Sequence, residues 1–468
     1  MRVWRFMIWQ ITNNGLLHIE KKIRGEQMKK VVGFVLILAL IFSGDFTSEA
    51  SSRSLGNEVL PKNDGWAAYG EGTTGGAKAD KNQIYTVSTK RDLIQALGGN
   101  NATNGKNATS KIIYVKGKIE LNVDLNNQPV GAEYYADPAY DFSGYLNAYD
   151  PMVWGYSEEV YGPFEEARAR SQKKQKNEMV INIGSNTTIV GVGKDAKING
   201  GSLMLNNVEN IIIRNIEFEA PVDFFPQWDP TDGEYGEWNS EYDNISIING
   251  THHVWIDHNT FSDGKNTDKS FGTYFGRLYQ KHDGLLDITN GSNYVTVSYN
   301  IFKDHDKVSL IGSSDSRISD RETLKVTLHH NYYQNLTQRL PRVRFGEVHV
   351  YNNFYEFQQN ATYGFDYAIG VGQESKLYVQ NNYFKFDFAI DPSKILKHWK
   401  GTSIYEDGSI VQVKKSVQRV DLIQAFNQAN EVQFNEEVGW KPERYTNIHP
   451  TMAVPILVNL KAGSGKLF

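Results

Sequence analysis

The segment His282-Asp283-Gly284-Leu285-Leu286-Asp287 sets two carboxylates four residues apart. On one straight strand their Cα atoms would lie about 13 Å apart, at roughly 3.3 Å per residue. That is too far to share an ion whose oxygen ligands sit at about 2.3–2.6 Å. A bend at Gly284 would bring both acids to the start of the strand. Without it they are two solvated carboxylates, the commoner fate of such residues. Asp304-His305-Asp306-Lys307 reads by itself as an exposed charged loop. Gln338-Arg339-Leu340-Pro341-Arg342-Val343-Arg344 is different, because three guanidiniums crowd one short stretch. They repel one another unless an anion lies among them or a surface salt-bridge patch neutralises them. Pro341 sets a turn there before strand pairing resumes. Acids on one turn and arginines on its neighbour suit an anionic sugar bridged by a metal. Calcium takes hard oxygens from protein and ligand alike, and guanidiniums grip carboxylates through paired hydrogen bonds.

Such groups need a scaffold that stacks distant residues. From residue 179 onward short β-branched strands recur, among them Val180-Ile181-Asn182-Ile183, Thr188-Ile189-Val190-Gly191 and Ile211-Ile212-Ile213. An asparagine followed by an aromatic residue closes most of them: Asn215 before Phe218, Asn259 before Phe261, Asn300 before Phe302, Asn331 before Tyr333, Asn353 before Tyr355 and Asn382 before Phe384. The intervals between these asparagines are 44, 41, 31, 22 and 29 residues. The shortest fits one turn of a solenoid and the longer ones a turn with loop insertions. Stacked turns would align the asparagines in a hydrogen-bonded ladder and the aromatics in a core column. An antiparallel sandwich accounts for the strands but not for the recurring asparagine and aromatic. The expected fold is therefore all-β, a parallel β-helix with long loop insertions and short capping helices. The insertions cluster between Asn215 and Asn331, and loops on one side of a solenoid carry its binding surface.

The glycine-rich segment Gly65–Gly76 and a short amphipathic helix over Asp92–Leu97 are expected to cap the first end. Residues 130–178 read as an excursion outside the core, with one helix near Glu165–Lys174. Residues 392–468 break the repeat; a helix near Val420–Asn430 and the tail Val454–Lys466 are expected to lie over the coil.

The first fifty residues stand apart. Val31 to Phe42 is an unbroken apolar run behind Lys29-Lys30, and Ser48-Glu49-Ala50 ends in a small residue. This is the pattern of a signal peptide, and twelve residues are too few for a membrane span of about twenty. Arg24-Gly25-Glu26-Gln27 is compatible with purine-rich codons like those of a bacterial ribosome-binding site, which places the expected start at Met28. The expected products are a leader over 1–50 and a single domain over 51–468, exported and free of the membrane after cleavage. The leader holds seven of the 49 Lys+Arg and four of the 54 Asp+Glu, leaving 42 against 50, a net of −8. A net-acidic chain needs a local cationic cleft or a metal to hold a polyanion, and without a basic run it does not suit nucleic acid. There is no cysteine, so an exported chain holds together without disulfides.

Val254-Trp255-Ile256-Asp257-His258, His282-Asp283-Gly284 and Arg339-Leu340-Pro341-Arg342-Val343-Arg344 together closely resemble the signature segments of family 1 polysaccharide lyases, above all secreted bacterial pectate lyases. The resemblance runs from Gly65 to Ala462-Gly463-Ser464-Gly465-Lys466. It implies a right-handed parallel β-helix that cleaves polygalacturonate by β-elimination with Ca²⁺, secreted and acting as a monomer. Carried over by position, it implies calcium ligands at Asp243, Asp283 and Asp287, a catalytic base at Arg339, and substrate-binding cations at Lys307 and Arg344. Free arginine stays protonated, so the expectation is that calcium, Lys307 and Arg344 push the Arg339 pKa down and that activity rises toward alkaline pH. Two other enzymes stay open at this level. A polygalacturonase would need paired carboxylates with one held protonated, and a pectin lyase acts on methyl esters and has no use for the calcium acids. A non-catalytic β-helical adhesin has no use for Arg339.

Overall fold

The computed structural model describes residues 55–467. The leader and the Met28 start lie outside the described residues. Three long sheets, of ten, eight and ten strands, run the length of the molecule. Nearly every neighbouring pair of strands is parallel and one turn apart in sequence, as in Val254↔Val295↔Val326↔Val348↔Leu377↔Ile404. The fold is a parallel β-helix. One continuous core fills its interior, from Val87, Leu93 and Leu97 at one end to Leu422, Ile423 and Phe426 at the other. The helices Lys90–Leu97 and Leu422–Ala429 turn their apolar faces onto the two open ends. Capping of this kind is what keeps a solenoid from pairing end to end.

The ladder and the column form as the repeat implied, with one displacement. Asn259, Asn300, Asn331, Asn353 and Asn382 each pass a side-chain oxygen to the backbone N–H of the asparagine one turn before, or of Ile216 for Asn259, at 2.9–3.0 Å. Phe218, Phe261, Phe302, Tyr333, Tyr355 and Phe384 stack with ring centroids 4.5–5.2 Å apart. Asn215 is off the ladder. It stands three residues before its aromatic where the others stand two, so it pairs in register with His258 and takes a left-handed φ of 58°. Replacing Asn331 with alanine strips partners from the Asn300 amide and from the Val297 carbonyl, both buried. The expected loss is about 3 kcal/mol, read as a lower urea midpoint with an unchanged slope.

The coil also extends further in both directions than the repeat suggested. Strands at Ile84–Val87, Lys111–Val115 and Lys118–Glu120 already belong to it, so residues 130–178 interrupt an early turn rather than precede the coil. At the other end Leu396–Trp399, Ile404–Asp407 and Ile410–Val413 complete one more turn inside the segment that looked irregular. The signal fades there because Ser409 stands in the ladder position and Val411 in the aromatic column, one register step beyond Asn382 and Phe384.

The excursion carries more helix than expected: Ala132–Tyr135, Phe142–Ala148 and Pro151–Trp154 precede Pro163–Met179. Proline at the first helical position gives up an N–H that has no partner there anyway. The long helix is pinned by an Arg168–Glu165 pair at 2.7 Å and by Arg168 donating to the Phe225 carbonyl. The Gly65–Gly76 segment lies along the outside of one ten-stranded sheet rather than over its end. Its amides bond Thr327, Thr296, Asn210 and Thr188, from four different turns. Gly76 is obligatory there, since a Cβ would fall 2.0 Å from the Lys111 carbonyl oxygen. The tail packs Val454, Val458 and Ala462 on Tyr332, Phe354 and Tyr383, so it lies over the coil as expected.

Lys111 is fully buried with no acidic partner; its ammonium donates only to the Asn107 and Ser185 carbonyls and the Thr187 hydroxyl. Burial pushes its pKa down to about 8 from 10.5. Between those values the unfolded chain binds a proton that the folded chain does not, so this group adds stability as pH rises. Relative to Lys111→Met, the wild type should gain up to about 3 kcal/mol from pH 8 to 10.5. Parallel denaturant titrations of the two proteins would measure the difference.

Candidate active site

The eight-stranded sheet carries the residues singled out by chemistry. Its order runs Val180–Asn182, Ser202–Asn206, Ile245–Ile248, Leu286–Ile288, Leu310–Ile311, Arg342–Val343, Ile369–Gly372 and Leu396–Trp399. Asp243, Asp283, Lys307 and Arg339 each sit at the corner where the chain turns into one of these strands. Successive turns align them: Ile245 pairs with Leu286, Gly284 bridges to Lys307, and Lys307 pairs with Gln338. Residues as far apart in sequence as Asp243 and Arg339 thus form one row along the helix axis.

Gly284 lies between the carboxylates of Asp243 and Asp287, which come from different turns. Its amide donates to Asp243 Oδ1 at 2.9 Å. A Cβ on it would meet Asp243 Oδ1 at 2.5 Å and Asp287 Oδ1 at 2.7 Å. No side chain fits between these carboxylates. Ser246 donates to the other Asp243 oxygen at 2.7 Å, and the Leu310 amide to Asp287 Oδ1 at 2.9 Å. Burial, then Asp287 and Asp283, push the Asp243 carboxyl well above the usual range. Burial and Asp283 push Asp287 up to about 7, against the pull of Arg339 and Lys307. The Lys307 ammonium stands 3.8 Å from Asp283. Among the described residues no three acidic or imidazole side chains are already closed into a metal cage. The three carboxyls are nonetheless hard-oxygen donors, crowded and incompletely neutralised by the chain.

Arg339 adopts a left-handed φ of 60° at its corner, where a side chain is costly and strain often marks function. Its Nε is buried without a hydrogen-bond partner. The expected depression of its pKa does not occur in the chain alone. Burial works against the charge, but Asp283, Asp287, Tyr367 and Asp306 outweigh it and raise the pKa above the ordinary arginine value. Arg344 lies one corner further on, committed to Asp315 at 2.6 Å and to the Gly312 carbonyl at 2.9 Å.

Behind the row sits a polar layer that local sequence did not reveal. His305 spans Asp263 at 2.5 Å and the Asp283 carbonyl at 2.7 Å. Burial opposes its charge, yet Asp263 pushes its pKa up to about 9, so this is a buried ion pair. Tyr363 donates to the other Asp263 oxygen. The excursion reaches the site as well: the Tyr242 hydroxyl, next to Asp243, donates to the Gln172 carbonyl of the long helix at 2.8 Å.

Residues 153–434 match the pectate lyase family. The chain belongs to that family. It is 47% identical to the pectate lyase of Bacillus subtilis (strain 168), over 94% of this chain and all of the relative. It is 37% identical to pectate lyase E of Dickeya chrysanthemi, over 80% of this chain and 82% of that one. Among solved structures it superposes on the thermostable pectate lyase PL 47 with a TM-score of 0.87 at 60% identity, covering 89% of this chain and all of the other. A pectate lyase bound to a hexasaccharide superposes with a TM-score of 0.82 at 47% identity, over 88% and 100%.

In this family member the six residues named from sequence fall on one face. Asp243, Asp283, Asp287, Lys307 and Arg339 come together, and Arg344 flanks them. Sequence reasoning passed over Gly284 as a spacer between carboxylates of different turns, the His305–Asp263–Tyr363 layer, and the sheet-face residues Lys397 and Trp399. The last two were within reach, since Leu396-Lys397-His398-Trp399 alternates like a strand, but they lie beyond the point where the asparagine repeat stops.

Proposed function

We propose that the chain is an exported, calcium-dependent pectate lyase that cleaves polygalacturonate by β-elimination, with Arg339 as base. The observation that carries this is an unpaired arginine beside three crowded carboxylates, in a chain of the pectate lyase family. Asp243, Asp283 and Asp287 would hold the calcium ion, which the fit of their hard oxygens and uncompensated charge supports. When bound, the ion supplies a link to the galacturonate carboxylate and withdraws charge from it, acidifying the proton on C5.

Lys307 and Arg344 orient the substrate carboxylates and stabilise the charge that develops on the uronate as the proton leaves. Arg339, as neutral guanidine, takes the C5 proton. The electron pair forms the C4–C5 double bond, the C4–O4 bond breaks, and the departing O4 gains a proton. The products are a shortened chain and a 4,5-unsaturated uronate end. Arg339 begins protonated, so the rate should climb toward alkaline pH. The apolar run Val31–Phe42 supports export, and among the described residues no helix is long and apolar enough to cross a membrane. The domain over 51–468 is taken to act as a monomer on a polymeric substrate.

The test is ultraviolet absorbance during incubation with polygalacturonate at alkaline pH, with calcium and then with chelator. A rise confined to calcium is expected. Chain shortening without any rise would instead mean hydrolysis, and would remove Arg339 from its role.

A further inference from the structure

Beyond Arg344 the outward face of the site sheet continues for two more strands. Register aligns Leu310, Arg342, Gly370 and Lys397 in one row, and Gly372 with Trp399 beside it. The strand between them therefore presents only glycines outward. A Cβ on Gly370 would press within 3.0 Å of Arg342, and one on Gly372 would fall 2.1 Å from the Val343 carbonyl oxygen. Across this bare strip the Arg342 guanidinium sits over the Trp399 ring, its Cζ 3.9 Å from the centroid. Lys397, paired with Asp366 at 2.6 Å, stands 5.3 Å from the same ring and 5.0 Å from Tyr367.

Two observations point to an anionic ligand. Arg339 and Arg342 are the arginines among the described residues whose guanidiniums make no hydrogen bond or ion pair, and Arg342 Nε is buried as well as unbonded. The others bond carboxylates or carbonyls, as Arg168, Arg214, Arg321 and Arg344 do. A stacked guanidinium keeps its edge donors free for a planar carboxylate. The second observation is the chain's own carboxylate nearby. Asp315 bridges Arg344 at 2.6 Å and Lys400 at 2.8 Å, so cations from strands two apart already converge on one carboxylate here.

We propose that Arg342, Lys397 and Trp399 form a distal subsite that binds the carboxylate of a further galacturonate unit, away from the bond being cleaved. This rests on the pectate lyase reading and extends it. Lys397 and Trp399 lie two strands past the Arg342–Val343 strand and four past the strand that carries Asp287. That is about 20 Å from the acids at the usual strand spacing, out of reach of a short oligomer held there. Trp399 holds the Arg342 plane in place, and Lys397 supplies a second charge. The subsite makes long, unesterified chains better substrates than short ones.

The test compares trigalacturonate with hexagalacturonate at saturating calcium, for wild type, Arg342→Gln and Trp399→Ala, with melting temperatures checked alongside. The ratio of kcat/KM between hexamer and trimer should fall about tenfold in each variant, the effect of losing one charge-assisted contact. An equal loss on both lengths, or no loss, overturns the subsite. Lys397→Gln, at a more exposed position, replaces either variant that fails to fold and should lower the same ratio. Calorimetric titration of hexagalacturonate without calcium gives a readout independent of turnover. Affinity should weaken about tenfold in Arg342→Gln, and unchanged affinity rejects the subsite. If wild type binds hexamer more tightly than Arg342→Gln but makes no unsaturated product, the lyase reading fails while the subsite stands.

Discussion

Replacing Arg339 with lysine should leave a folded protein that still binds polygalacturonate but turns it over about 10³-fold more slowly. Losing a positioned proton acceptor costs about 10²–10⁴-fold. The lysine keeps a positive charge beside Asp283 and Asp287, so the acids remain partly neutralised and the fold is spared. The fall should appear in kcat with little change in KM, because the base acts on the C5 proton and not on the carboxylates that bind. Initial rates followed by ultraviolet absorbance, with a melting curve for each protein, measure both. A variant that retains more than a tenth of wild-type kcat would mean that another group takes the proton.

The second large effect changes sign with the metal. Asp287→Asn should raise the melting temperature in chelator by a few degrees and lower it, relative to wild type, in saturating calcium. Without a cation, burial and then the Asp283 charge push the Asp287 pKa up to about 7. Neutralising it relieves roughly 1–3 kcal/mol of repulsion and desolvation. The asparagine keeps an oxygen for the Leu310 amide, which bonds Asp287 Oδ1 in the native chain. With calcium the same substitution removes a charged ligand. The calcium concentration for half-maximal activity should then rise by at least about 100-fold, since losing even a partner of a ligand costs 10–100-fold. Scanning fluorimetry in chelator and across a calcium series reads both halves. If the variant melts lower in chelator as well, these acids are structural and not a strained cation site.

Much of this was legible in the residues because a solenoid repeats locally. Each turn must satisfy a buried corner amide and fill one slot in the core, so Asn259, Asn300, Asn331, Asn353 and Asn382 recur with their aromatics at a fixed offset of two. The same rule, applied strictly, would have set Asn215 aside, since its offset of three moves it to the left-handed position. Where other side chains do the same job the repeat falls silent, and the last turn, with Ser409 and Val411, was read as irregular. The chemical types at the site were also legible: Asp283 and Asp287 around a glycine, and arginines flanking a proline, announce charge that needs a partner. Asp243, Lys307 and the roles of Arg339 and Arg344 came from family resemblance, because nothing in their local spacing distinguishes them from surface charge.

Tertiary structure decided which distant residues share a face and in what electrostatic company. Asp243 and Asp287 meet only because Gly284 has no Cβ and stacking brings consecutive corners together. The pKa of Arg339 could not be read from nearby cations in sequence, since it depends on Asp283 and Asp287 from two turns away, whose pull outweighs burial. The stacked, unpaired Arg342 is a fact of registry alone: Trp399 lies 57 residues away in sequence and two strands away in space. Composition and spacing choose the repeat and the kinds of groups it carries. Electrostatics falls off with distance through space, not along the chain, so only the folded coil determines which charges answer one another.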